Sequence, residues 1–291
     1  MSRMSRTAAS EPDPLRAALH TMWSSVAPNW VERASAVDER GRVVATALLD
    51  AAAVGPGDAV LELACGPGGV GLDAATRVGP TGSVLLSDVA PDMVRAAADR
   101  AVERGLTNVA TRCLDLEAID LPDEQVDVVV CREGLMLVQQ PAVAAAEARR
   151  VLVPGGRAAF AVWGARSDNP WLGSLFDALS EVTGSPVPPE GLPGPFSLDQ
   201  PTLLAEVLRT GGLDEVTVHE VAVPLRCDSF DQWWGLVPSL AGPVAGLLAA
   251  MAPDEVEAVR AASERHLAAF VSSQGYVVPG VSLVGSARRA V

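Results

Sequence analysis

AVLELACGPGGVGL, residues 59–72, is an apolar run followed by closely spaced glycines. Short apolar runs of this kind are typical of buried parallel strands, and a glycine-rich segment after one is typical of a turn into a helix. Gly66, Gly68 and Gly71 spell the pattern G-x-G-x-x-G at that turn. Such glycines let the backbone approach a ligand, and the N-terminus of the following helix favours negative charge. The stretch predicts a ligand site at a strand-to-helix turn.

Other strand-like runs follow this one at near-regular spacing. The predicted strands are 59–64, 83–87, 109–113, 126–130, 157–163, 215–225 and 281–287. Predicted helices occupy 90–105, 141–156, 171–184 and 200–210, and a largely helical stretch covers 229–271. Strands that alternate with helices indicate βαβ units. We therefore expect an α/β fold: a Rossmann-like, mostly parallel seven-stranded sheet with helices on both faces and a helical lid or insertion.

Composition excludes several classes of function. The 36 acidic residues outnumber the 22 basic residues, and a net charge of -14 opposes binding to nucleic acid or to an anionic membrane. Every basic residue is Arg, which excludes Schiff-base chemistry and a phosphate-binding lysine. Three widely separated histidines predict no metal site. Apolar runs shorter than the roughly 20 residues of a membrane span, and no secretory signal, predict a soluble, cytoplasmic protein.

Acidic residues near the ends of the predicted strands point to a nucleotide-type cofactor. Asp88 ends the second strand, where a carboxylate suits the ribose diol of either S-adenosylmethionine (SAM) or NAD(P). An NAD(P)-dependent oxidoreductase therefore stays open as an alternative, although a chain without Lys has no Y-x-x-x-K pair. Glu62 in the first strand, Asp115 after the third, and Pro-Gly-Gly within RVLVPGGRAAFAVW (150–163) favour SAM.

With these features the sequence resembles the class I SAM-dependent methyltransferases, within them the ubiquinone/menaquinone-biosynthesis-like small-molecule branch, over residues 20–225. The resemblance implies that the glycine turn contacts the methionine part of SAM, that Asp88 binds the ribose, and that Asp115 lies at the adenine edge. The cofactor-binding residues that it implies are Trp30, Glu62, Ala64, Gly66, Pro67, Gly68, Asp88, Val89, Met93, Asp115, Leu116 and Arg132.

The polar opening MSRMSRTAASEPDP, with its Ser and Pro residues, predicts a flexible tail at 1–14. The resemblance implies a single methyltransferase domain at 15–291. Within that domain, 36–163 is the expected SAM-binding core, and 164–212 and 226–275 are expected acceptor-side lid segments.

Six tryptophans against one tyrosine indicate an apolar, aromatic-lined site for a small-molecule acceptor. The candidate substrate-binding residues are Trp23, Trp163, Trp171, Trp233 and Trp234. Glu133, in CREGLMLV after the fourth strand, is the candidate catalytic base, with His20 and His219 as weaker candidates. The alternatives for Glu133 are pairing with Arg132 or another Arg, or contact with the sulfonium end of SAM. The expected reaction converts SAM to S-adenosylhomocysteine (SAH). A SAM-binding protein without catalysis, and a homodimer, both stay open.

Overall fold

The computed structural model describes residues 13–189 and 191–291, so the tail expected at 1–14 lies almost wholly outside the described residues. The helices are α1 (Pro14–Glu32), α2 (Ala34–Ala51), α3 (Gly69–Val78), α4 (Pro91–Glu103), α5 (Pro141–Val151), α6 (Pro170–Thr183), α7 (Pro201–Thr210), α8 (Phe230–Leu240), α9 (Pro243–Ala250) and α10 (Pro253–Leu267). The strands are β1 (Ala59–Leu63), β2 (Ser83–Asp88), β3 (Val109–Cys113), β4 (Val126–Arg132), β5 (Leu152–Trp163), β6 (Asp214–Ala222), β7 (Leu225–Cys227), β8 (Val271–Ser272), β9 (Gly275–Val278) and β10 (Val281–Arg288).

A seven-stranded sheet in the order β3-β2-β1-β4-β5-β10-β6 forms the centre of the molecule. Strands β1 to β5 pair in parallel, whereas β10 pairs antiparallel with both β5 and β6. The predicted Rossmann-like, mostly parallel sheet is confirmed. Because the strand order reverses between β1 and β4, a crevice opens at their carboxyl ends, where open α/β sheets bind ligands.

Two predicted elements end earlier than expected. The single strand predicted at 215–225 is divided into β6 and β7, and Pro224, which lacks an N–H, lies at the break. Strand β7 joins a second sheet in the order β7-β9-β8. The helix predicted at 141–156 stops at Val151, because the backbone of Leu152 is extended and begins β5.

No single helix in the described parts of the chain combines the length and the hydropathy needed to cross a membrane. Helices α8 and α9 satisfy both measures only when they are taken together, and they are bent by 108° at the break between them.

A buried carboxylate joins β1 to α3. Glu62 is 2% exposed, and its Oε2 accepts a hydrogen bond from the N–H of Gly71 at 2.7 Å. A Cβ at Gly71 would overlap the side chains of Leu86 and Glu62, so this third glycine of the motif serves close helix–strand packing. Burial raises the pKa of Glu62 to about 8, opposed by the nearby charge of Arg132 and by the Gly71 N–H.

The raised pKa of Glu62 makes stability depend on pH in a defined direction. The folded chain retains this proton up to about pH 8, whereas the unfolded chain loses it near pH 4.5, the ordinary pKa of a glutamate. The stabilisation is therefore complete below the unfolded pKa and is lost as the pH rises through the folded pKa. Glu62→Gln keeps an acceptor for Gly71 and removes the titration. We expect urea unfolding at several pH values to show wild type losing stability relative to Glu62→Gln between about pH 5 and pH 8; parallel pH profiles would contradict this assignment.

Asn169 fastens the carboxyl end of β5 to β10 and to the start of α6. Its Nδ2 donates to the carbonyl oxygens of Gly164, Ala165 and Val281 at 3.0–3.1 Å. Its Oδ1 accepts from the N–H of Val281 and from the indole N–H of Trp171, both at 3.0 Å. Because Asn169 is fully buried, these bonds replace all contact with water and fix the orientation of the Trp171 ring.

Removal of this side chain leaves several buried polar groups unpaired, each at a cost of about 1–3 kcal/mol. We expect Asn169→Ala to lower the free energy of unfolding by about 3 kcal/mol, measured by urea denaturation. The matched control is Ser167→Ala, since the exposed Ser167 hydroxyl contacts only Asp168, at 3.4 Å. A loss in Asn169→Ala no larger than in the control would show that the network contributes little.

Candidate active site

The turn between β1 and α3 has left-handed backbone at successive points. Ala64 (φ 50°) and Gly66 (φ 53°) lie in this region, which is costly for a residue with a side chain. A Cβ at Gly66 would meet no protein atom within 4 Å, since Gly66 borders an open cavity. The N-cap residue of α3, Gly68, makes no side-chain cap hydrogen bond, while the N–H of Gly71 in the first turn donates to Glu62. The turn therefore presents close backbone and a helix N-terminus that favours a carboxylate.

Asp88, at the end of β2, holds this turn in place. Its Oδ2 accepts from the N–H of Gly66 at 2.9 Å, and its Oδ1 accepts from the N–H of Ala90 at 3.0 Å. The residue is 8% exposed and borders the same cavity. Burial raises the pKa of Asp88, while the N–H groups of Ala90 and Gly66 oppose the shift. Each carboxylate oxygen keeps a lone pair for a hydroxyl donor.

Asp115 is engaged by helix α1. Its Oδ2 lies 2.6 Å from Nε of Arg16 and 3.1 Å from Nε2 of His20, and its Oδ1 accepts from the N–H of Glu117 at 2.8 Å. Leu116 beside it is buried and also lines the cavity. These ion pairs close the end of the cavity beyond β3 with residues from the N-terminal helix.

Helix α1 also contributes aromatic side chains to the cavity wall. Trp30 packs with Met93, Ala90 and Ala27, next to Val89. Its indole N–H is buried and has no hydrogen-bond partner among the described residues, which leaves a donor available beside the cavity. The ring of Trp23 lies edge-on to it, with 6.3 Å between centroids.

All these groups surround one cavity of about 640 Å³ at the carboxyl ends of β1, β2, β4 and β5. Its other half is apolar and is walled by α6, the loop after α6, α8 and α9. That wall includes Leu172, Phe176, Val187, Pro188, Leu236, Leu240, Val244 and Leu247. Trp163 and Trp171 meet there edge to face, with 5.0 Å between ring centroids.

Glu133 lies directly after β4, between the two halves of the cavity. Its backbone is left-handed (φ 62°), and its N–H donates to the carbonyl of Ala161 at 2.7 Å. Burial raises the pKa of Glu133, opposed by the charges of Arg132 and Arg40. Within residues 13–189 and 191–291, no guanidinium nitrogen lies within 4.0 Å of its carboxylate, so the charges of Arg132 and Arg40 act on it without a close ion pair.

The structure brings most of the sequence-predicted site residues to this cavity. Those that line it are Trp23, Trp30, Glu62, Ala64, Gly66, Pro67, Asp88, Val89, Met93, Asp115, Leu116, Arg132, Glu133, Trp163 and Trp171. Gly68 lies behind the turn instead, where a Cβ would contact Ala97 of α4.

Trp233 and Trp234 do not lie where an acceptor-binding role requires, because neither belongs to the cavity wall. The expectation for these two residues is therefore corrected. Trp233 is fully buried, stacks on Phe230, and donates its indole N–H to the carbonyl of Trp171 at 2.9 Å. Trp234 also stacks on Phe230, with 6.3 Å between centroids. This pair supports Trp171 through packing.

Sequence reasoning did not identify Arg16 and Arg40 among the cavity residues, and it named His20 only as a weaker candidate base, not as a partner of Asp115. All three lie on α1 or α2, before the first strand. Among the described parts of the chain, no group of three or more His, Cys, Asp or Glu side chains is arranged to hold a metal ion.

Comparisons with known proteins agree with this geometry. Residues 60–156 match a family described as a methyltransferase domain. The chain is 39% identical over 106 residues to the ubiquinone/menaquinone biosynthesis C-methyltransferase UbiE of Cupriavidus taiwanensis, covering 36% of this chain and 43% of that enzyme. The match therefore spans about half or less of the length of these UbiE enzymes.

The structure of phosphoethanolamine N-methyltransferase 2 from Haemonchus contortus, in complex with SAM, shares the fold. The TM-score is 0.52 at 14% identity, covering 85% of this chain and 52% of that one. Nocamycin O-methyltransferase of Saccharothrix syringae is 34% identical over 199 residues, which cover 65% of this chain and 70% of that enzyme. On that likeness, the chain belongs to the class I SAM-dependent methyltransferases of the small-molecule type.

Proposed function

We propose that this protein transfers the methyl group of SAM to a small, apolar or aromatic acceptor and releases SAH. The observation that carries the proposal is the single cavity, which joins the glycine turn and Asp88 to an apolar half lined by Trp163 and Trp171. Nucleotide-type groups at one end and an apolar pocket at the other suit a cofactor and an organic acceptor side by side. A net charge of -14 argues against nucleic acid or an anionic membrane as the partner.

The residues at the cofactor end fit SAM. The N–H groups in the first turn of α3 that Glu62 leaves unbonded suit the methionine carboxylate. The free lone pairs of Asp88 suit the two ribose hydroxyls, and the apolar surfaces of Met93 and Leu116 suit a flat adenine ring. The unpaired indole N–H of Trp30 offers one further donor.

When bound, SAM supplies a methyl group on a sulfonium, which makes the leaving thioether neutral. The chain must position the acceptor for in-line attack and exclude water from the site. Trp163 and Trp171 provide a rigid apolar wall for that purpose. In this proposal the segments 164–212 and 226–275 act as a lid over the acceptor, because α6, α8 and α9 all contribute to the cavity wall.

Glu133 is the group that would accept the acceptor's proton. It is the carboxylate at the junction between the two halves of the cavity, and its raised pKa makes it a stronger base than an exposed Glu. The strained backbone at this residue is typical of positions where function fixes a side chain. The name of nocamycin O-methyltransferase indicates an oxygen acceptor in that relative, which fits a hydroxyl that loses its proton here.

Transfer of a labelled methyl group tests the proposal directly. The purified chain is incubated with SAM that carries a trideuterated methyl and with a panel of phenols, enols and aromatic carboxylic acids. We expect a product whose mass increases by the labelled methyl, together with SAH formed only in the presence of acceptor. A chain that binds SAH and methylates no member of the panel would favour the alternative of a SAM-binding protein without catalysis.

Removal of the Asp88 carboxylate should weaken SAM binding. Each charge-assisted bond to a ribose hydroxyl contributes about 1.5–3 kcal/mol, so Asp88→Ala should raise the Kd for SAM about a hundredfold or more in calorimetry. The matched control is Asp92→Ala, since Asp92 is an exposed acid of α4 paired with Arg95. An unchanged Kd in Asp88→Ala would remove this residue from the binding site.

A change at Glu133 should affect catalysis without affecting the cofactor. General-base catalysis contributes about a hundredfold or more, so Glu133→Gln should lower kcat by that factor with the Kd for SAM nearly unchanged. Glu103→Gln, at an exposed carboxylate of α4, is the control. Rates are measured as labelled product formed per enzyme, and wild-type turnover in Glu133→Gln would leave positioning as the main source of catalysis.

A further inference from the structure

Arg40 places a positive charge in the apolar half of the cavity. It belongs to α2, lines the cavity, and its guanidinium carbon lies 3.7 Å from the ring centroid of Trp171 and 5.1 Å from that of Trp163. Burial lowers the pKa of Arg40 to about 10, opposed by Glu133 and by the Cys227 sulfur. The cation has therefore lost much of its hydration without a close anion in return.

The hydrogen-bonding capacity of Arg40 is largely unused. Its Nε is buried with no partner among the described residues, and its one contact with an acceptor, the carbonyl of Val223 at 3.5 Å, is too long to be strong. No carboxylate in residues 13–189 or 191–291 lies within 4.0 Å of the guanidinium. Stacking on Trp171 occupies one face of the guanidinium, whereas the N–H donors of Arg40 lie in the guanidinium plane and are not used by this stacking.

We propose that Arg40 binds the ionised oxygen of the acceptor, and that the acceptor class is therefore an enol or a phenol methylated on that oxygen. Guanidinium donors in the plane and a desolvated charge are suited to an oxyanion attached to an apolar ring. A neutral amine or an unactivated carbon carries no negative charge that the guanidinium of Arg40 could bind in this way. This inference rests on the proposed methyl transfer and names the substrate class for it.

The charge balance at the site stays constant through the step. The acceptor hydroxyl gives its proton to the Glu133 carboxylate, so the negative charge passes from Glu133 to the acceptor oxygen, which Arg40 holds. That oxygen attacks the methyl carbon, an O–C bond forms, and the C–S bond breaks with its electron pair left on sulfur. The products are a neutral methyl ether and neutral SAH, and Glu133 afterwards releases the proton to water.

A phenol whose ionised form is coloured tests the role of Arg40 without turnover. We would titrate 4-nitrophenol bound to the SAH-loaded chain and read its ionisation from absorbance. A positive charge close to an acid lowers its pKa by about 1–3 units, so we expect that shift for the wild-type complex relative to the free probe. The charged groups around Arg40 are Glu133 and Arg132, while burial raises the pKa of the nearby Cys227 thiol and favours its neutral form. Glu133→Gln should lower the probe's pKa further by removing an opposing carboxylate.

Variants of Arg40 show whether its charge or its packing lowers the pKa of the bound probe. Arg40→Gln should abolish the shift, Arg40→Lys should retain part of it, and Arg42→Gln, at an exposed residue on the same helix, should leave it unchanged. The neutral probe 4-nitroanisole should bind wild type and Arg40→Gln alike, since it carries no oxyanion.

The outcomes distinguish this inference from the proposed function. Failure of the wild-type chain to bind SAH would overturn the proposed function. Normal SAH binding with no binding of 4-nitrophenol, with no lowering of its pKa in wild type, or with equal lowering in Arg40→Gln would overturn only the role of Arg40. If Arg40→Gln does not fold, the titration of 4-nitrophenol on the wild-type chain still tests the role of Arg40, because an unlowered pKa of the bound probe would overturn it.

Discussion

The carboxylate of Asp88 accepts the N–H of Gly66 with one oxygen and the N–H of Ala90 with the other, which ties the turn after β1 to the turn after β2. Because the group is buried, these bonds form in a medium of low dielectric and are hard to replace with water. They hold Gly66 beside the end of β2. In the proposed function the same side chain would serve both the turn and the ribose.

Few charged side chains border the apolar half of the cavity, and burial favours the neutral forms of two of them, Glu133 and Arg40. The pKa of Glu133 is raised and that of Arg40 is lowered, each by desolvation, and the opposite charge of the other partly offsets the shift. Neither forms an ion pair with the other within 4.0 Å. In the proposed step an acceptor hydroxyl gives its proton to Glu133, and the ionised oxygen that results supplies the counter-charge that Arg40 lacks.

Local features of the sequence predicted where the glycine turn and Asp88 lie in the fold, because a strand, a glycine turn and a helix follow one another in the chain. The proximity of Gly66 and Asp88 could be predicted because each follows or ends one of two strands, β1 and β2, that lie side by side. The acceptor end depends on contacts between distant segments: Arg40 stacks on Trp171, more than a hundred residues later. Composition could not separate Trp171, on the cavity wall, from Trp233, which supports it from behind, because both are tryptophans in helices of similar pattern.

The most direct test of the account is a calorimetric titration of the purified chain with SAH and, separately, with NADH. Both ligands suit a glycine turn followed by an acid at the end of the second strand, so the sequence motif alone does not distinguish them. The account predicts saturable binding of SAH at one site per chain and no binding of NADH. Binding of NADH without binding of SAH would contradict it.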